Sequence, residues 1–147
     1  MALQMDRAQL NAFLERLFPQ VVGQIEVEAA DARQLVARLR ADARHLRPGG
    51  TVSGPAMFAL ADVAIYLAIL SRIGEVALAV TTNASIDFMR KPRAGCDLLA
   101  ECRILKLGRS LAVGECLIFS EGEAEPVARC SMTYSIPPKS VENRGLE

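Results

Sequence analysis

One acidic residue stands alone in the most apolar stretch of the chain. Asp62 is the only charged residue between Arg47 and Arg72. If this stretch is helical, the residues three and four positions away are apolar or aromatic and provide no ion-pair partner. A lone buried carboxylate is costly unless it is hydrogen-bonded or borders a solvated cavity. Two interpretations follow. Asp62 caps backbone groups of another element, or it is a general base or nucleophile that faces a cleft.

The segment before this stretch could bind a developing negative charge. Residues 49–55 read Gly-Gly-Thr-Val-Ser-Gly-Pro, which is a flexible approach to the first turn of a helix. The first N–H groups of a helix lack internal partners and carry partial positive charge, so they can hold an oxyanion. A carboxylate two turns along the same helix would complete a hydrolytic site. The simpler alternative is that the glycines only make a tight turn.

The other reactive side chains favour structural roles. His45 is the only histidine, and we interpret it as an ordinary loop residue. Cys96, Cys102, Cys116 and Cys130 form no C-x-x-C pair, which argues against a zinc or redox motif. They fall in or next to predicted strands, where small buried side chains are usual. The sequence therefore predicts reduced thiols and no metal site.

The elements that must position these residues follow from the hydrophobic periodicity. Apolar residues at helical spacing predict an amphipathic helix over residues 6–18, with Asp6 as its cap and Pro19 after its end. A second helix over residues 55–72 is apolar on every side, and Pro55 suits its first position. Strand-like runs cover residues 24–29, 33–40, 76–90, 97–107, 110–120 and 126–136.

This order of elements indicates an α+β fold. The strands are joined mostly by short turns, so the sheet should be mainly antiparallel. A helix that is apolar all round must be covered, and a curved sheet wrapped round it is the simplest arrangement. The chain of 147 residues fits a single domain, residues 1–147. Residues 139–147 follow two prolines and are expected to form a loose tail.

Composition argues against several classes of function. Lysine plus arginine and aspartate plus glutamate number 17 each, so the formal net charge is zero, which argues against nucleic-acid binding. The apolar stretch over residues 56–70 contains an acid and is too short to span a membrane. Residues 1–18 carry four charges and lack the features of a signal peptide. We therefore expect a cytoplasmic protein with no membrane partner.

A family resemblance rests on the glycine-rich segment and its spacing from Asp62. Residues 50–55, Gly-Thr-Val-Ser-Gly-Pro, with Leu-Ala-Asp at 60–62, resemble the signature of hot-dog-fold acyl-CoA thioesterases of the phenylacetate-degradation (PaaI-like) type. That signature reads G-x-V-H-G-G, followed on an apolar helix by an aspartate at the same spacing. Residues 81–92 resemble the family's next strand, and residues 107–111 resemble a later turn. The resemblance implies the hot-dog fold and hydrolysis of an acyl-CoA thioester.

The resemblance also implies roles for individual residues. Asp62 would act as base or nucleophile on the thioester carbonyl. The Gly54 N–H would bind the carbonyl oxygen in the transition state. The Thr81 hydroxyl would help to place water, with Thr82 as the less favoured choice. Ser53 stands at the position of the family's histidine and is carried over as part of the catalytic set.

Two positions depart from the family signature. Ser53 replaces the histidine, and its hydroxyl can donate a hydrogen bond but cannot take up a proton at neutral pH. Pro55 replaces the second glycine and has no N–H to offer, whereas Gly54 keeps its own. These departures leave a second hypothesis open, a non-catalytic module that binds acyl-CoA. A hot-dog dehydratase is less favoured because such enzymes commonly need an active-site histidine, and a purely structural role leaves Asp62 without a reason.

The resemblance extends to substrate binding. Basic side chains in the turns at residues 90–93 and 106–109 resemble those that meet the phosphates of coenzyme A, although such charges are commonly only solvated. One face of the apolar helix would line the acyl pocket. The residues assigned to substrate binding are Met57, Phe58, Tyr66, Thr82, Asn83, Arg90, Arg109 and Ser110. No cofactor is implied, because coenzyme A is part of the substrate.

Self-association is the remaining expectation. A single sheet wrapped round one helix leaves an open edge, and long unprotected strands pair with one another. Hot-dog proteins typically form dimers through a continuous sheet, and the dimers often pair into tetramers. Their active sites take residues from both subunits. The resemblance therefore implies a homodimer or homotetramer, while the acyl group and the choice between base and nucleophile for Asp62 stay open.

Overall fold

Two helices and six strands make up residues 3–138, the part of the chain that this computed structural model describes. The helices are α1 (Arg7–Leu17) and α2 (Gly54–Ile73), and short 3-10 turns cover Pro19–Val21 and Ala43–His45. The strands are β1 (Ile25–Ala30), β2 (Leu35–Leu39), β3 (Val80–Phe88), β4 (Leu98–Leu107), β5 (Leu111–Ser120) and β6 (Ala128–Ser135). The predicted order of elements is confirmed. The tail predicted over residues 139–147 lies outside the described residues.

The first helix begins and ends close to where the sequence indicates. The Asp6 side chain accepts a hydrogen bond from the N–H of Gln9, and the Gln9 side chain accepts one from the N–H of Asp6. This reciprocal cap fixes the first turn of α1. A short 3-10 turn that begins at Pro19 follows the helix. The buried residues of α1 are Leu10, Phe13 and Leu14.

All six strands form one antiparallel sheet, in the order β1-β2-β4-β5-β6-β3. The predicted strand over residues 76–90 is too long at both ends. Before β3 a turn intervenes, in which the Ala79 N–H bonds to the Val76 carbonyl at 3.1 Å. After β3, the N–H groups of Met89 and Arg90 both reach the Val127 carbonyl. Alternation alone cannot show these ends, since the turns keep an apolar composition.

Helix α2 forms the centre of the molecule, and the sheet covers it. From residue 60 to residue 71 every residue except Asp62 is buried. Gly114 of β5 permits close contact, because a Cβ there would lie 2.8 Å from Cγ2 of Ile65. Among residues 3–138, α2 alone is long and apolar enough to cross a membrane, and 67% of that stretch is buried inside the protein. The core position of α2 accounts for its composition.

The two edges of the sheet differ. On β1, both backbone groups of Val27 bond to the Asn11 side chain, at 2.8 and 3.1 Å, and Arg7 also donates to the Val27 carbonyl. Helix α1 therefore occupies that edge. On the other side β3 pairs with β6 alone within the described residues. The open edge at β3 is the one that a further strand could join.

Candidate active site

The start of α2 presents one unpaired backbone donor. Ser53 is the N-cap, and its Oγ accepts a hydrogen bond of 3.3 Å from the Ala56 N–H. Pro55, in the first turn, has no N–H. The Gly54 N–H meets no acceptor among residues 3–138. Because Ser53 supplies the cap, α2 begins at Gly54, one residue earlier than predicted, and leaves a single N–H at its tip.

The loop before Ser53 is held by the histidine. His45 is 7% exposed, and its carbonyl accepts the Ser53 N–H at 2.7 Å. The Asp42 N–H donates to Nδ1 at 3.0 Å, so Nε2 carries the ring proton and donates to Oε1 of Gln24 at 2.9 Å. Both ring nitrogens are occupied. His45 therefore positions the glycine-rich segment, in agreement with its interpretation as a loop residue.

Asp62 is held by two hydroxyl groups from the sheet. The Thr81 Oγ1 donates a hydrogen bond of 2.5 Å to Oδ1 of Asp62. The Tyr134 hydroxyl lies against the same Oδ1 and, at 2.7 Å, against the Asp62 backbone carbonyl. No donor from residues 3–138 contacts Oδ2. The carboxylate is thus fixed through one oxygen and keeps the other available.

Tyr134 is the site residue that sequence reasoning missed. It is 3% exposed, and its ring stacks on Tyr66 with a centroid distance of 6.1 Å. Burial, together with the hydrogen bond to Asp62, raises the pKa of Tyr134 well above its ordinary value. The phenol is therefore neutral and able to donate. In the sequence, Tyr134 is one of the residues on the buried side of an alternating strand, and nothing there distinguishes it as a functional residue.

An apolar cleft opens beside Asp62. Its volume is about 430 Å³, and Asp62, Thr81 and Tyr134 form part of its polar lining. Helix α1, the turn after it, helix α2 and the turn before β3 contribute the other walls. Their lining residues are Leu17, Phe18, Gln20, Val63, Tyr66, Ala77, Leu78, Ala79 and Val80. An apolar group placed here would end against the carboxylate.

A second cleft of about 340 Å³ lies at the start of α2. Gly54 and Met57 line it from the helix, and Phe88 closes it from the end of β3. The Phe88 ring packs on the helix start, because a Cβ at Gly54 would lie 3.4 Å from its Cζ. Arg47 and Lys91 add positive charge, and neither pairs with a carboxylate among residues 3–138.

The basic turn after β3 is mostly neutralised. Arg90 pairs with Glu125 at 3.0 Å, and Arg93 pairs with Glu123 at 3.2 Å. Lys91 is exposed and is the cation of this turn that no described carboxylate contacts. Arg90, which the resemblance assigns to substrate binding, lines the second cleft, and its guanidinium already has a partner.

The remaining residues assigned to substrate binding line neither cleft, and they are Phe58, Thr82, Asn83, Arg109 and Ser110. The Thr82 hydroxyl donates to the Thr133 carbonyl at 3.2 Å, so Thr81 alone of the two threonines contacts the Asp62 carboxylate. Asn83 on β3 and Phe58 on α2 are exposed. These side chains lie on a surface of the single chain and not in either cleft.

Arg109 and Ser110 lie in the exposed turn between β4 and β5. The Ser110 carbonyl accepts the Ile136 N–H at 2.8 Å, which joins this turn to the end of β6. The start of β3 pairs with the same end of β6. This turn is therefore at the Thr81 end of the sheet, whereas Arg90 is at the opposite end of β3.

Gly54 and Asp62 cannot act on one carbonyl within a single chain. They are eight residues apart on α2, which corresponds to about 12 Å along the helix axis. An oxyanion donor and an attacking carboxylate must each lie about 3 Å from the reacting group. Within one chain these residues therefore form two separate clusters, one around Asp62 with Thr81 and Tyr66, and one around Gly54 with Met57. We call them the two candidate half-sites.

Within residues 3–138 no group of three or more histidine, cysteine, aspartate or glutamate side chains could hold a metal ion. The cysteines that line up across β4, β5 and β6, Cys102, Cys116 and Cys130, are free and buried. Burial raises the pKa of Cys130 to about 12, so this thiol stays protonated.

This chain is similar to several known proteins. The sequence profile of the thioesterase superfamily matches residues 49–127. A candidate esterase of Pseudomonas aeruginosa is 34% identical over 105 residues, which cover 71% of this chain and 77% of that protein. The crystal structure of a candidate thioesterase from Silicibacter sp. TM1040 is 59% identical and superimposes with a TM-score of 0.88. This match covers 94% of this chain and 96% of that one.

A third similarity is to the phenylacetic acid degradation protein PaaI of Thermus thermophilus, in the solved structure of a variant. The identity is 28% and the TM-score 0.67, with 86% of this chain and 99% of that chain covered. The matched profile spans the glycine-rich segment, α2 and strands β3, β4 and β5. The chain belongs to the thioesterase superfamily and has its hot-dog fold.

Proposed function

We propose that this protein hydrolyses acyl-CoA thioesters, with Asp62 as the reacting carboxylate. The observation that carries the proposal is the state of Asp62. It is the one residue of 60–71 that is not buried, it borders an apolar cleft, and its Oδ2 has no described donor. Membership of the thioesterase superfamily supports a hydrolase in general. The substrate and the residue roles are the proposal.

The chemistry needs only groups that the site provides. Oδ2 of Asp62 removes a proton from water, and the resulting hydroxide attacks the thioester carbonyl. Alternatively Oδ2 attacks the carbonyl directly and forms an anhydride, which water then hydrolyses. In both routes the carbonyl oxygen gains negative charge and the C–S bond breaks. In the first route the proton that Asp62 took from water goes to the departing sulfur. In the second route coenzyme A leaves as a thiolate, which takes up the proton released when water hydrolyses the anhydride.

The oxyanion donor in this proposal is the Gly54 N–H of a second copy. Antiparallel pairing of β3 with the same strand of another chain would place its Phe88 end beside the partner's Thr81 end. Phe88 packs on Gly54, and Thr81 bonds to Asp62, so the two half-sites would meet. Exposed apolar side chains along and next to β3 support such a contact. They are Val80 at 58%, Phe88 at 51% and Met89 at 43%.

The substrate would then span both clefts. The acyl group would occupy the apolar cleft beside Asp62, between α1 and the turn before β3. The coenzyme A moiety would leave towards the basic residues of the second cleft, of which Lys91 and Arg47 have no described carboxylate partner. Electrostatic attraction to the phosphates favours that direction.

The test is thiol release from a panel of aromatic, short, medium and long acyl-CoA esters. We expect turnover by the natural sequence and loss of at least about 1000-fold in Asp62→Asn, because the amide is neither base nor nucleophile. Asp31→Asn is the matched control, since Asp31 is exposed and its carboxylate accepts hydrogen bonds from the N–H groups of Arg33 and Gln34 in the β1–β2 turn.

A second candidate is a binding module without turnover. It is favoured by Ser53 and Pro55, which stand where the family signature has histidine and glycine. In the structure the side-chain oxygen of Ser53 accepts the hydrogen bond that caps the helix. Calorimetric binding of acyl-CoA without thiol release from any ester would support this candidate and contradict the hydrolase.

A further inference from the structure

The hydroxyl of Tyr134 contacts the reacting carboxylate from a third element. Asp62 is on α2, Thr81 on β3, and Tyr134 on β6, where it lies opposite Thr81 in the pairing of the two strands. The phenol reaches both Oδ1 and the backbone carbonyl of Asp62. The Tyr134 hydroxyl therefore contacts both the side chain of Asp62 and the turn of α2 that carries this side chain.

Tyr134 has little freedom to make other hydrogen bonds. Its side chain is buried, and the ring is held by the stack on Tyr66, with 29° between the ring planes. Tyr66 is itself fixed, because its hydroxyl donates to the Ala77 carbonyl at 2.8 Å. A neutral buried phenol that is held in this way directs its single proton at Asp62.

The two oxygens of the Asp62 carboxylate differ in their hydrogen bonds, because both donors contact the same one. Thr81 and Tyr134 both occupy Oδ1, so rotation of Asp62 about its terminal bond would break both contacts. Oδ2 consequently stays on the side that no described donor contacts. This is the arrangement that a base or nucleophile requires, with one oxygen anchored and one exposed to the substrate.

We infer that Tyr134 is a positioning residue for Asp62, and that with Thr81 it selects Oδ2 as the reacting oxygen. The inference rests on the proposed hydrolase function. It assigns no proton transfer to Tyr134. The phenol acts through Asp62 and does not need to touch the substrate.

The test is steady-state kinetics of Tyr134→Phe, which keeps the ring stack and removes only the hydroxyl. We expect kcat to fall by about 10- to 100-fold with KM changed less than about threefold, because misorientation of a reacting group slows chemistry more than binding. Ser71→Ala is the matched control. Ser71 also donates a buried hydroxyl to a carbonyl of α2, at 2.6 Å from Ala68, but it does not line either cleft.

A double-mutant cycle separates positioning from general destabilisation. Tyr134→Phe and Thr81→Val should be strongly non-additive in kcat, because both donors serve the same oxygen, whereas Tyr134→Phe and Ser71→Ala should be additive. Unchanged kcat in Tyr134→Phe, beside an inactive Asp62→Asn, would overturn the positioning role alone. A natural sequence that hydrolyses no ester would overturn the hydrolase and this role together.

Discussion

Thr81 of β3 donates a 2.5 Å hydrogen bond to the carboxylate of Asp62, nineteen residues earlier on α2. The proton of this hydroxyl is committed to Asp62, so Thr81 cannot donate to water at the same time. Its oxygen can still accept a hydrogen bond from a water that approaches Oδ2. The family resemblance implies that this threonine helps to place water. Thr81 can do so only by accepting a hydrogen bond from the water.

The first prediction concerns this hydroxyl. Thr81→Val should lower kcat by roughly 10- to 100-fold, because the carboxylate loses one of its two donors and the water loses an acceptor. Thr81→Ser should keep most of the activity, since serine retains the hydroxyl. Thr82→Val is the neighbouring control, because that hydroxyl bonds to the Thr133 carbonyl. Equal losses in Thr81→Val and Thr82→Val would contradict the assignment of Thr81.

The second prediction is that active sites form between two copies. Gly54→Pro removes the free N–H, and Asp62→Asn removes the carboxylate, so each variant alone should be inactive. When both are expressed together and assort at random, half of the dimers are mixed and each of these has one intact site. About a quarter of the natural activity should return.

A matched variant isolates the N–H in that experiment. Gly54→Ala adds a Cβ at an ordinary contact distance of 3.4 Å from Phe88 but keeps the N–H. It should retain activity on its own. If mixtures of Gly54→Pro and Asp62→Asn stay inactive while each variant folds and associates, the Gly54 N–H and Asp62 do not complement one another across subunits.

Much of the fold could be predicted because its signals are local. Asp6 and Gln9 indicate the cap of α1, and the alternation of apolar and polar residues indicates the strands. The long helix is unusual in being apolar all round, and a curved sheet is the economical way to cover it. These features depend on neighbours within a few positions, so one sequence suffices to recognise them.

The site could be predicted only in part, because some of its contacts are distant in sequence. Tyr134 is 72 residues from Asp62, and it meets the carboxylate only because β6 packs against α2 in the folded chain. The ion pair between Arg90 and Glu125 likewise depends on how the loop before β6 returns to the turn after β3. The family resemblance assigned Arg90 to substrate binding but could not show that its charge is already balanced.

The third prediction concerns the open edge. We expect the protein to be at least dimeric, and Phe88→Asp to shift it towards the monomer, because a charge is costly to bury in an apolar contact. Sedimentation velocity measures the mass directly. Leu105→Glu, at a side chain that is 57% exposed on β4, should leave the dimer intact. A monomeric natural sequence at micromolar concentration would contradict this assembly.

The fourth prediction concerns the thiols. Cys96 is partly exposed, whereas Cys102, Cys116 and Cys130 are buried. A pKa of about 12 for Cys130 leaves about one molecule in ten thousand as thiolate at pH 8. A disulfide reagent at pH 8 should therefore label one thiol per chain rapidly and the other three only after denaturation. Cys96→Ser should remove the rapid phase, and rapid labelling of a second thiol would contradict the described burial.

The fifth prediction concerns acid stability of the loop that leads to Gly54. Asp42 accepts hydrogen bonds from the side chain and the N–H of Arg44, and these lower its pKa to about 2. Because the folded pKa lies below the unfolded value, the carboxylate stabilises the protein above about pH 4 and this contribution is lost as the pH falls through about 2.

Two substitutions separate the charge of Asp42 from its role as a cap. Asn can still accept the Arg44 N–H, so Asp42→Asn removes the charge alone. Its melting temperature should lie slightly below that of the natural sequence at pH 6, and the difference should vanish towards pH 2. Asp42→Ala also removes the cap, so part of its deficit should persist at low pH. Because Asp42 is exposed, the charge effect should be small, and a deficit in Asp42→Asn that does not change with pH would show that the charge is not its cause.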